Sequence, residues 1–339
     1  MVVADHGEGL GRHGEKTHGT AVYDSTMRVP FLLRSPGRVR AGTRILGPVS
    51  VVDVYPTFCE AMGLSIPDGL DGISLFQSEP VDGRGVYFES YFGHISFGRS
   101  HMVGWADRDA KFIHSSVPEF YEALDRGETD NLHAERTNDV TSYRAAIDRL
   151  SGQTRLRHDR ESSPDELLKK QVEQLGYSGA GTEVVELPEP LEPSDRPSPH
   201  ASLEIHNDFV RARSLMDRQR PEEAIEILQT VVAREATNHM GHYLLGQCLM
   251  MEGRYREAIL PMQRAVATCE ADWIAPYANL GLCYDHLGQQ NEAIENYRQS
   301  LRLGTGPRLA IERLIELLRA SGKAEEAETY VPMLEKAVQ

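Results

Sequence analysis

"VVADHGEGLGRHGEKTHGTAVYDSTMRVP" occupies residues 2–30, and its reading decides the fold of the first part of the chain. Val2 and Val3 run straight into Asp5 and His6. A short apolar run of this kind predicts a buried parallel strand, and α/β sheets place ligand-binding groups at strand ends. A carboxylate next to an imidazole can ligate a divalent metal. "GEGLG" permits tight backbone turns, so the loop can fold over a site. His13 and His18 follow within the same stretch. On spacing alone, a solvated glycine-rich loop with incidental histidines competes with this reading.

Working outward, "RVPFLLRSPG" predicts a second strand, ended by the turn signal Pro36-Gly37. "SVVDVYPTFCEAMGL" predicts a helix with Ser50 as its cap, because Val54, Phe58, Ala61 and Met62 recur at a spacing of three to four. "GVYFES" reads as a strand. "HMVGWADRDAKFIHSS" reads as a hairpin turning at Asp107-Arg108-Asp109. Residues 1–140 are therefore expected to be an α/β region.

Residues 141–202 change character. They are expected to hold one amphipathic helix, capped by Ser163 with Pro164 at its first position. The proline- and glutamate-rich "ELPEPLEPSDRPSPH" then reads as a semi-rigid or disordered linker.

From residue 203 to 339 the chain repeats. "RPEEAIEILQ", "RYREAILPMQ", "QQNEAIENYR" and "KAEEAETYVP" align on Ala224, Ala258, Ala293 and Ala327. Gly253, Gly288 and Gly322 stand five residues before the last three alanines, where a helix–helix turn is expected. Ala212, Gly246, Gly281 and Ile315 stand twelve before each alanine, and small residues there let paired helices approach closely. The period and pattern resemble the tetratricopeptide repeat. The third unit fits best, with Tyr277, Leu280, Gly281, Tyr284, Ala293 and Tyr297 at pattern positions. The resemblance implies an all-α solenoid of about four units, with a concave groove for a peptide or protein partner.

The opening stretch, extended to "RVPFLLRSPG", resembles the C-terminal half of the sulfatase catalytic domain in the alkaline-phosphatase-like superfamily. "GPVSVVDVYPTFCEAMGLSIPDGLDGISL", "YFES" and "EFYEALDRGETDNL" resemble further segments of that family in the expected order. The resemblance implies a metal-dependent hydrolase of sulfate esters. Asp5 and His6 match the late metal ligands, which implies Ca²⁺ for a sulfatase, or Mn²⁺ or Zn²⁺ for a phosphoester-type site. His at the second position is commoner among phosphonate and phosphate ester hydrolases of the superfamily, so that ester class is the alternative. His18 matches the basic residue that contacts the sulfuryl or phosphoryl oxygens and can protonate the leaving group. An imidazole suits that acid role. His13 is a second substrate-binding candidate, Arg28 reads as an anchor of the loop, and Glu8 and Glu15 read as exposed groups or as partners of the histidines.

The family's nucleophile lies in a C/S-x-P-x-R motif, as a formylglycine in true sulfatases, and its early metal ligands are an Asp-Asp pair. Neither occurs in these 339 residues. The expectation is that the nucleophile half precedes Met1 in the full protein and that this chain alone has negligible turnover. A non-catalytic tetratricopeptide-repeat binding protein is the rival reading. The net charge of −15 argues against a nucleic-acid partner, which a basic face would serve. Cys59, Cys248, Cys269 and Cys283 form no CxxC pair, so neither a structural zinc site nor a disulfide framework is expected. Cys248 and Cys283, at equivalent repeat positions, read as packing residues. No apolar run reaches the ~18 residues of a membrane span.

Overall fold

The computed structural model describes residues 1–76, 84–152, 187–269, 273–304 and 306–336. Contacts divide the chain into two compact units; of the described residues, the first holds 1–152 and 187–207 and the second those from 208 onward. Among the described residues, no helix is long and apolar enough to cross a membrane.

The first unit is built on a four-stranded antiparallel sheet in the order β3 (Val86–Ser90), β4 (Met102–Ala106), β5 (Ala110–His114) and β6 (Glu119–Glu122). The β4–β5 hairpin turns at Asp107–Asp109 as the sequence predicts. Asp107 Oδ1 accepts from the backbone N–H of Asp109 and of Ala110, at 2.8 and 3.0 Å. The two-residue period of the strands splits their side chains between two cores. Phe88, Met102, Ile113 and Tyr121 pack with Ala21, Val22, Tyr23 and Leu203. Phe112 and Phe120 face the other way, onto Val140, Tyr143 and Ile147 of α4 (Thr137–Ser151). β5 is buried along its whole length because both of its faces are covered.

Two expectations for the first unit change. Val2 and Val3 form β1, but it pairs antiparallel with β2 (Phe31–Leu32) in a two-residue ribbon. Val2 and Leu32 are 62% and 64% exposed. The ribbon is not a buried parallel strand, because among the described residues no further strand pairs with it. The short helix α1 (Asp24–Met27) lies between the ribbon's two strands in sequence. The helix α2 (Val54–Ala61) does form, preceded by a turn that Ser50 and Asp53 cap reciprocally. Its buried face holds Pro56, Thr57 and Cys59, however, while Phe58 and Met62 are 46% and 71% exposed. The apolar spacing that predicted the helix therefore marks its outer face. The one polar group buried there is paired: Thr57 Oγ1 donates to Asp53 O and accepts from Leu75 N–H, at 2.6 and 3.0 Å.

The segment expected to be a linker also packs. Pro190 O lies 3.1 Å from His101 Nε2, Glu192 O lies 3.2 Å from His114 Nε2, and Tyr91 donates to Pro188 O. Ser100 N–H donates to Pro197 O at 3.0 Å. The prolines remove donors while leaving carbonyls that these groups meet. The helix expected around Ser163 and Pro164 lies outside the described residues. Between β3 and β4 in sequence, α3 (Phe92–Phe97) ends at Gly98 in the left-handed region.

The helices of the repeats come in four pairs: α5 (Leu203–Asp217) with α6 (Pro221–Arg234), α7 (His239–Met251) with α8 (Tyr255–Thr268), α9 (Ile274–His286) with α10 (Gln290–Leu303), and α11 (Arg308–Ala320) with α12 (Ala324–Lys336). The four register alanines are fully buried. Gly253, Gly288 and Gly322 take φ near +70° in the turns of the last three pairs, and Gln219 does so in the first. Close helix approach is visible at Gly281, where an added Cβ would lie 2.5 Å from the Tyr297 ring. Cys248 and Cys283 are buried in the packing, and burial pushes both thiols up to about 11.

Candidate functional site

Asp5 and His6 leave the end of β1 and enter a loop whose glycines are set by backbone approach. Gly7 N–H donates to Thr26 O and Gly9 N–H to Thr17 O, both at 2.7 Å. A Cβ at Gly7 would lie 2.3 Å from Ser25 O, and one at Gly9 would lie 2.3 Å from Glu15 O. Glycine is required at both positions on steric grounds. The two approaches fold residues 7–9 onto residues 15–26 and bring the start of the loop against its return.

The result is a small cluster. The rings of His6 and His18 stack at 3.8 Å. His18 Nδ1 lies 2.9 Å from Glu8 Oε1, so the carboxylate accepts from Nδ1–H and turns Nε2 outward. His6 Nδ1 stands 3.0 Å from Gly7 O. His6, Glu8 and His18 each offer a donor atom, and all three atoms lie within 4.8 Å of one another. Asp5 behaves differently. Its Oδ1 accepts from the His6 backbone N–H at 2.9 Å, its Oδ2 is 3.7 Å from His6 Nε2, and its side chain is 80% exposed. Hydrogen bonds from the backbone hold its carboxyl below the ordinary range. As placed, Asp5 and His6 supply two donors, one fewer than the three protein ligands of a catalytic zinc site.

His13 goes elsewhere. Its backbone is left-handed at φ 51°, its ring lies 3.6 Å over Tyr23, and burial pushes its pKa down. Arg28 stays exposed beside Asp24 at 3.6 Å, as an anchor of the loop would. Glu15 is buried rather than exposed. Its Oε1 accepts from Thr20 and Ala21 N–H at 2.9 and 3.1 Å, pinning the return of the loop, and burial raises its pKa.

Beneath the loop lies a polar network that sequence reasoning did not single out. Glu119 accepts from the hydroxyls of Tyr23 and Tyr121, and His200 Nε2 stands 2.6 Å from its Oε1. Burial raises the Glu119 carboxyl, but the bonds and charge of His200 and the two hydroxyls outweigh it and lower the pKa overall. Lys111 Nζ donates to Glu128 and Asp24 at 2.6 and 3.2 Å, and Asp24 N–H donates to Glu128. Their alternation with buried apolar residues in β5 and β6 was the only signal, and strand alternation alone does not say which face is covered. Glu8, Arg12, Asp24, Ser25, Arg28 and Arg126 line an open cleft of about 580 Å³ beside the cluster.

Comparison with known proteins accords with both parts of the chain. The Sulfatase family profile matches residues 1–64, and Tetratricopeptide repeat profiles match residues 209–273 and 274–303. The chain is similar to "Uncharacterized sulfatase YidJ" of Escherichia coli (strain K12), 32% identical over 33% of this chain and 23% of that protein. It is 36% identical to "Arylsulfatase K" of Homo sapiens over 21% of this chain and 13% of that protein. It thus spans less than a quarter of the length of these relatives. Among solved structures, the crystal structure of MamA is similar at 27% identity and a TM-score of 0.37, over 39% of this chain and 77% of that one. The chain joins a sulfatase-type segment at its N-terminal end to tetratricopeptide repeats.

Proposed function

We propose that the first unit supplies one wall of a sulfatase-type site for the hydrolysis of sulfate esters, and that the repeats hold a peptide or protein partner. The observation that carries the first part is the stack of His6 on His18 with Glu8 behind it. A carboxylate on Nδ1 fixes the orientation of the imidazole. His18 Nε2 is then the atom that contacts the anionic group and passes a proton to the leaving oxygen. Asp5 and His6 are the family-matched metal pair, and Asp5 must turn inward to join one. No step is assigned to a metal on the geometry of that pair. His13, stacked on Tyr23, is reassigned from substrate contact to support of the loop.

The attacking group of this reading belongs to a C/S-x-P-x-R motif, which these 339 residues do not contain. A segment carrying it has a face to meet: Val51, Val52, Tyr55, Phe58 and Met62 lie exposed along α2 and the turn before it. A phosphate or phosphonate ester is the second reading, favoured by His rather than Asn at position 6. The test is aryl sulfate and aryl phosphate hydrolysis by the chain alone and by a longer chain carrying the motif and an Asp-Asp pair. The chain alone should be inactive. The longer chain should be active, and His18→Ala should reduce its turnover by about 10²–10⁴. Turnover by the 339 residues alone, or an unaffected His18→Ala variant, overturns the reading. For the repeats, a pulldown with the full chain should capture a partner that is lost when residues 208–339 are removed.

A further inference from the structure

We propose that His6, Glu8 and His18 form a divalent-metal site of their own, suited to a zinc-type ion rather than to calcium. The inference stands on the geometry of the loop and does not depend on the hydrolase reading. Two donors on a tetrahedral ion, each at about 2.1 Å, stand about 3.4 Å apart. Glu8 Oε1 and His18 Nδ1 are 2.9 Å apart, and the full set of three lies within 4.8 Å. Small side-chain rotations therefore bring all three onto one ion. The backbone already holds them there, because the Gly7–Thr26 and Gly9–Thr17 hydrogen bonds fix both arms of the loop.

The chemistry of the donors selects the ion. Two imidazoles and one carboxylate suit zinc and its neighbours, whereas calcium takes six to eight oxygens. Metal-bound histidines regularly give their second ring N–H to a carbonyl or carboxylate. His6 shows this arrangement, with Nδ1 at 3.0 Å from Gly7 O. The loop closes on one side, and the neighbouring cleft that Glu8 also lines opens the fourth position to water or an anion. Asp5, exposed and bonded to the backbone beside it, lies outside the set. A metal on this triad takes His18 through Nδ1, in place of the Glu8 hydrogen bond, and Nε2 still faces outward, where it can meet an anion.

The test is calorimetric titration of the full chain with zinc, manganese and calcium chlorides, together with the visible absorption of the cobalt-loaded protein. One zinc ion per chain should bind, more tightly than calcium, and cobalt should show the intense bands of a low-coordinate nitrogen and oxygen site. Glu8→Gln, His6→Ala and His18→Ala should each weaken zinc at least about tenfold, and Asp5→Asn should leave it within about threefold. Glu8 is 46% exposed, so Glu8→Gln does not put the fold at stake. No saturable zinc binding, binding indifferent to Glu8→Gln, binding abolished by Asp5→Asn, or a preference for calcium overturns the site. Ester hydrolysis is measured separately, so loss of either result leaves the other standing.

Discussion

Asp53 is fully buried, and its carboxylate accepts four hydrogen bonds. Two come from the backbone N–H groups of Ser50 and Ile73, at 2.8 and 2.9 Å. Two come from Arg84, Nη1 at 3.0 Å and Nη2 at 2.6 Å, and Arg84 also donates to Pro48 O. The Arg84 side chain is only 12% exposed. Asp53→Ala would strand this guanidinium and two backbone donors at once. Breaking a buried ion pair from one side costs about 3–5 kcal/mol. Each orphaned backbone donor adds up to about 1–3 kcal/mol, non-additively. A loss of about 4 kcal/mol is expected for the first unit, equivalent to a fall of about 8–16 °C in its midpoint at this domain size. The chain has two tryptophans, Trp105 in the first unit and Trp273 in the second. In a Trp273→Phe background, the fluorescence of Trp105 reports the first unit alone, and its ring lies on Gly85, next to Arg84. Asp53→Asn, which keeps the shape and one acceptor, should fall between wild type and Asp53→Ala. A loss below about 1 kcal/mol in Asp53→Ala would refute the claim that this carboxylate anchors the segment from Pro48 to Arg84.

Three further outcomes test the packing and the titration of the units. Gly281→Ala should destabilise the repeats by about 1–3 kcal/mol in urea unfolding followed by helical circular dichroism, because the new Cβ meets the fully buried Tyr297 ring at 2.5 Å. Gly246→Ala should cost less than Gly281→Ala, since its Cβ meets the unbranched Met262 side chain, Cε at 2.7 Å and Cγ at 2.9 Å, which adapts more readily than a ring. Burial pushes both His114 and His206 down to about 4, below the ordinary 6.5. Between those values the unfolded chain binds more protons than the folded one, so the stability these residues contribute is complete above about pH 6.5 and is lost as pH falls toward 4. Trp105-detected unfolding should show this acid loss, and His206→Gln should flatten it. A slope unchanged by that substitution would refute the role of His206.

The repeats were legible because a solenoid repeats its packing at a fixed period: Ala224, Ala258, Ala293 and Ala327 recur 34–35 residues apart and all four are buried, so spacing carries the tertiary information. The hairpin at Asp107–Asp109 was equally legible, since turn chemistry is local. The first unit was less so wherever polar groups do the packing. Thr57 and Asp53 made the inner face of α2 look like its outer face, and hydrophobic spacing misread its direction. The strap from residue 187 looked like a linker because its proline-rich composition says nothing of carbonyls that happen to meet His101 and His114. At the candidate site, Asp5, His6 and His18 stand out in the sequence by residue type and order. Glu8 was undervalued because its contact with His18, ten residues on, depends on two glycine-mediated backbone approaches. The placement of His13 was not legible, because its left-handed backbone turns the ring onto Tyr23.

The docked strap has a consequence for how such a chain can be recombined. His200 meets the buried Glu119, and Leu203 sits in the core with Ala21 and Val22. The residues that complete the first unit therefore come from beyond the stretch that looks dispensable. An exchange of repeat arrays, whether by gene fusion or by design, has its permissive joint after Asn207, inside a continuous helix, and not in the proline-rich segment where a chimera would ordinarily be cut. A splice at residue 187 would donate a helical array intact and leave behind a sheet with its lid removed.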